Sequence, residues 1–119
     1  MTKAKTRKLD KQFSQIVKGL AGNKCEICSK DTYLNVHHYV GRRNRACRWY
    51  IPNGVCLCSG CHTMSLWSAH QNPEWFRGQI MERRGDIWLK DIWQQMNKTF
   101  KGTYEDVLEH YEDKTKNYV

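Results

Sequence analysis

Two Cys-x-x-Cys pairs, Cys25/Cys28 and Cys58/Cys61, stand 29 residues apart in this chain. The spacing within each pair lets two sulfurs of one tight turn reach the same ion. Two such turns brought together close a tetrahedral zinc site with four ligands and no open position. Binding of this kind is worth roughly 10–16 kcal/mol and doubles as folding energy in a small domain. Two disulfides, or free thiols in the core, are the competing readings. Cys47 and Cys56 lie outside the frame; Cys56, alternating with Leu57 in a short strand, reads as a small core residue.

At 119 residues the chain can build one domain with a modest core, much of it from five tryptophans. No run of about 18 apolar residues is present, so no membrane span is expected. The Lys-rich N-terminus has no apolar stretch behind it, so no secretory signal is expected either. A cytoplasmic location follows as an expectation, and there paired cysteines are metal ligands more often than disulfides. The formal charge of +8 is unevenly spread. Residues 1–24 carry seven Lys/Arg against one Asp, and residues 25–62 carry five against two, whereas residues 63–119 carry eight against nine acids. A positive N-terminal half suggests a polyanion partner, most simply nucleic acid. A solvated basic tail is the plain alternative for residues 2–11.

Periodicity predicts a small α+β fold. Residues 1–8 read as a flexible basic tail and residues 9–119 as a single domain. Leu9 to Leu20 carries apolar residues at helical spacing and ends at Gly22-Asn23. Tyr33 to Val40 alternates as a strand, with His37 and His38 on opposite faces. A basic loop, Gly41-Arg42-Arg43-Asn44-Arg45, leads through Arg48-Trp49 to the turn Pro52-Asn53-Gly54 and a return strand over Val55–Leu57. A helix is expected from Ser59 to about Gln71. Further helices over 73–116 open at Asn72-Pro73, break at Gly85, restart at Asp86 and restart again at Thr103. Of the tryptophans, which read as core, Trp49 is the best placed to stack on a base.

His38, Asn53 and His62 follow one another at intervals of 15 and 9 positions inside this frame. With the stretches CEICSKDTYLNVHHYV and NGVCLCSGCH, residues 25–62 resemble the HNH endonucleases of the ββα-metal, or His-Me finger, superfamily. Arg48-Trp49-Tyr50 and Asn72-Pro73-Glu74-Trp75 further resemble small phage recombination-associated HNH proteins. The resemblance implies a zinc-braced ββα-metal core at about 25–72, with an N-terminal helix and added C-terminal helices. It implies metal-dependent hydrolysis of DNA, a phage or mobile-element origin, and partners in phage packaging or recombination. His38 matches the general base, and an imidazole suits that task because its ordinary pKa lies near working pH. Asn53 matches the residue that bonds backbone across the hairpin and holds the His38 loop. His62 matches a ligand of the catalytic divalent ion, and His37 stands where relatives place the other. Arg42, Arg43, Arg45 and Arg48 are placed to hold flanking phosphates.

One departure from the family pattern bears on the metal. Many members carry another His four residues after the last motif letter, and here that position is Leu66. His70, eight residues on, would lie about 12 Å along a straight helix and so reads as a surface or DNA-side residue. With only His37 and His62, the ion would be weakly held: Mg²⁺, Mn²⁺ or Ni²⁺, with imidazole leaning away from Mg²⁺. Other readings stay open. The His pair could be one core and one surface residue, His62 could replace a cysteine on zinc, and the arginines could be a solvated loop. The whole could also be a non-catalytic zinc-finger DNA-binding or recombination accessory protein.

Overall fold

Leu9, Phe13, Ile16 and Val17 line one face of helix α1, Lys3–Leu20, and all four are buried. The computed structural model, which describes residues 1–115, starts this helix six residues before Leu9. Thr2 caps it, its Oγ1 accepting the Lys5 N–H at 3.1 Å. The flexible tail expected over residues 1–8 is therefore mostly helix, with Lys5 lying over the Tyr104 ring at 5.0 Å. Gly22 and Asn23, at φ +67° and +56°, turn the chain out of the helix in the left-handed conformation.

Strand β1, Leu34–His38, pairs antiparallel with β2, Gly54–Cys58, in the register His37↔Val55 and His38↔Gly54. The connection holds a short helix α2, Arg45–Arg48, and a single 3₁₀ turn, Ile51–Asn53. Alternation sorts the strand residues to two faces. Val36 and Cys56 join the core formed with α1, whereas Val55 and Leu57 join a second core with Phe76 and Ile80. Gly54 is required by the first packing, since a Cβ there would collide with Val17 and Phe13.

Helix α3, Pro73–Met96, covers the second face. Asn72 caps it, and Gly85, at φ +85° and ψ 173°, breaks it where the break was expected. Arg84 sits at that break and clamps three segments. It meets the Glu26 carboxylate at 2.8 Å and donates to the carbonyls of Pro52 and Gly54 at 3.0 and 2.9 Å. In the second half of α3, among the described residues, only Ile92 is buried, leaving Ile87 and Trp93 in solvent. Helix α4, Tyr104–Thr115, packs on α1, and the Tyr111 hydroxyl donates to the Trp49 carbonyl at 2.5 Å. Thr103 caps it, as the sequence predicts, and Asp106 returns the bond to the Thr103 N–H. The last expected helical position, residue 116, lies outside the described residues. The fold is thus α+β, helices against both faces of a two-stranded sheet. Among the described residues no helix is long and apolar enough to cross a membrane.

Candidate metal centres

The sulfurs of Cys25, Cys28, Cys58 and Cys61 all lie within 4.8 Å of one another, Cys28 and Cys58 at 3.5 Å. Sulfurs sharing one zinc at its usual bond length stand about 3.8 Å apart at the tetrahedral angle, so the four can hold that ion. No disulfide joins any of the six cysteines, and the four of the frame converge on one point. The first pair is presented by a tight turn closed by Ser29 N–H to Cys25 O at 2.9 Å. Glu26 locks that turn to β2, exchanging bonds with both the N–H and the carbonyl of Cys56 at 2.9 Å. Burial raises the Cys58 pKa, but the Cys61 backbone N–H and the neighbouring thiols outweigh it and bring it to about 7. Cys47 and Cys56 are wholly buried core residues.

The helix expected from Ser59 to Gln71 does not form. One wide π turn, Gly60–Met64, gives way at Ser65, whose ψ of 153° is extended. The freed carbonyls of Thr63 and Met64 are taken by the Gln71 side-chain amide at 2.6 and 3.3 Å. Ser68 and Ala69 return to the core while Leu66 and Trp67 stay exposed, Trp67 leaning on Trp75 at 5.9 Å. On returning, the chain donates Ala69 N–H to Cys61 O at 2.8 Å and His70 N–H to His62 O at 3.0 Å. These bonds span eight residues but occupy the place of ordinary i→i−4 helical bonds. The excursion acts as a four-residue insertion in one helical turn.

That insertion corrects the reading of His70. Its imidazole stands beside His62 rather than about two turns away, with Nε2 to Nε2 at 3.0 Å. Nitrogens of His37, His62 and His70 lie within 4.8 Å of one another. Two nitrogens bound to one ion at their usual length stand about 3.0–3.4 Å apart, so the pair can share an ion as readily as a proton. His62 faces this cluster and not the sulfurs, which removes it as a ligand of the four-cysteine site. His37 reaches the cluster from the α3 side of β1, braced edge-on by Phe76 at 4.9 Å.

His38 leaves β1 on the opposite side, as strand alternation predicts. Its ring stacks on Phe13 of α1 at 4.9 Å and 16°. Its Nε2 lies 3.1 Å from the Arg48 carbonyl. A carbonyl only accepts, so Nε2 carries the proton and Nδ1 keeps a free lone pair. Burial lowers the pKa of His38, favouring the neutral ring. Asn53, wholly buried, spans the hairpin mouth: its Oδ1 accepts from Val40 N–H at 2.7 Å, and its Nδ2 donates to the carbonyls of Val40 and Cys47 at 2.9 and 3.1 Å.

The four arginines divide. Arg42 lines a cleft of ≈ 280 Å³ together with His37, His38, His62 and His70. Arg43 is exposed, and Arg45 lies over the Trp49 ring at 5.3 Å. Arg48 is not available to a phosphate, because Asp10 holds its guanidinium through two bonds of 2.7 and 3.1 Å. The same carboxylate takes the Trp49 indole N–H at 2.9 Å, so Trp49 is core and not a stacking platform. Burial alone would raise the Asp10 carboxyl, but Arg48 and Trp49 hold it below its ordinary range. Comparison with family models, with curated proteins and with solved structures found no match.

Proposed function

We propose that the chain is a metal-dependent endonuclease of the HNH type that hydrolyses DNA phosphodiester bonds. The observation that carries this reading is the single cleft that gathers three histidines able to share an ion, a separately oriented neutral histidine and an exposed arginine. Zinc in the four-cysteine site is structural, closing the turn before β1 onto the end of β2. His37, His62 and His70 hold the catalytic ion, and three imidazoles suit Mn²⁺, Ni²⁺ or Zn²⁺ better than Mg²⁺. A divalent ion there supplies Lewis-acid stabilisation of charge on the phosphate and on the departing oxygen.

The rest falls to the chain's own groups. His38 takes a proton from the attacking water at Nδ1, with Nε2–H donated to the Arg48 carbonyl to fix the ring and its tautomer. Asp10 and Phe13, both on α1, position that assembly, one through Arg48 and one through the stacked ring. Asn53 holds the loop after His38 and takes no part in proton transfer. Arg42 at the cleft, with Arg43 beside it, holds flanking phosphate.

Plasmid nicking with Mn²⁺, Ni²⁺ and Mg²⁺ tests the proposal, with His38→Ala as control. Cutting by the wild type and a loss of about 10²–10⁴-fold in the variant, with divalent-ion binding retained, is the expected result. Equal cutting by both, or no cutting under any ion, removes the nuclease reading. The second outcome leaves a zinc-braced DNA-binding module.

A further inference from the structure

A second cleft of ≈ 620 Å³ opens beside the histidine cleft, and Gly41 lines both. It lies between the residues that follow β1 and the two halves of α3, spread apart by the break at Gly85. Tyr39, Met81, Trp93 and Met96 give it an apolar and aromatic wall, and Arg77 is its one charged lining residue. Trp93 is 52% exposed, and Arg77 makes no ion pair among the described residues. An exposed ring beside an unpaired cation, continuous with a cleft that holds Arg42, combines a stacking surface with a positive path for a backbone. Single-stranded nucleic acid is bound by that combination. A duplex keeps its bases stacked and paired, so only a base that has left the stack can enter.

We infer that this cleft is a subsite for an unpaired nucleobase next to the scissile phosphate, stacked on Trp93 with its backbone held by Arg77. The inference rests on the nuclease reading and narrows its substrate to DNA with an unpaired nucleotide at the cleavage position. Cleavage is compared, with Mn²⁺, on a fully paired duplex and on the same duplex carrying a short central bubble. Wild type is expected to favour the bubble by about tenfold, within the range set by base stacking on an aromatic ring. Trp93→Ala and Arg77→Ala should each bring the ratio toward one, while Trp93→Phe, which keeps a ring, retains most of it. Nickel titration and thermal melting of each variant show whether the histidine cluster and fold are intact. Equal cutting of both DNAs by wild type overturns the subsite and leaves the nuclease standing, as does a preference that survives both alanine variants. A dimer that Trp93→Ala dissociates in sedimentation, with the preference unchanged, assigns the groove to a second copy of the chain and also overturns the inference. No cutting of either DNA under any ion removes both readings.

Discussion

An imidazole ligates a divalent ion only through an unprotonated nitrogen, and His37 is set in that state before any ion arrives. Burial, then the nearby His62 and His70, lowers its pKa to about 3. His62 is lowered too, by burial and by His70, so protons compete weakly for these two rings at neutral pH. His70→Ala should weaken nickel or manganese binding, measured by calorimetry, by at least the roughly 10–100-fold that loss of an outer-shell partner costs. Leu66→His should change nothing, because position 66 is 77% exposed on the tip of the excursion. Single residues were legible where alternation governs them: His37 and His38 part to opposite faces of β1, as read. Arg48 was not legible, because its partner Asp10 stands 38 residues away on another element and leaves no mark in local spacing.

At the level of elements, the excursion between His62 and His70 separates two roles that one helix would combine. Its ends complete a helical turn and its tip is free to vary. Excising Met64 to Trp67 should therefore leave a chain whose two histidines fall four apart on one continuous helix. The excised chain is expected to bind nickel within about tenfold of wild type, since its ligand geometry follows from helix pitch. A complete loss of binding would show that the loop does more than reconnect. A continuous helix was the expectation here, but hydrophobic pattern cannot reveal that the Gln71 side chain would satisfy the carbonyls of an interrupted one. Contact between α1 and the hairpin has its own test. Gly54→Ala adds a methyl against Val17 and Phe13, with an expected cost of about 1–3 kcal/mol in chemical unfolding. Because Phe13 stacks on His38, on the proposed nuclease reading kcat should fall along with stability.

For the molecule as a whole, the two-stranded sheet is too small to stand alone and is sandwiched between α1 with α4 on one side and α3 on the other. The two candidate metal sites, if both are filled, should empty in order. A weak chelator is expected to remove the histidine-bound ion with little change in circular dichroism. A strong chelator that also strips the sulfurs should unfold the chain, since that binding is roughly 10–16 kcal/mol of folding energy. Chain-wide features were the most legible of all: the four-cysteine frame, the positive half and the break at Gly85 all follow from spacing and composition. The placing of α4 against α1 was not, because apolar stripes say that a face is covered without saying by what. Cys61, of the sulfur cluster, and His62, of the histidine cluster, are neighbours in one π turn. On the proposed reading, a nascent chain that has not yet captured zinc would lack a fixed position for His62 and could not cut. On that reading the four-cysteine clasp would also act as a safety catch, since a chain short of structural zinc would be held silent whatever ion its histidines can take.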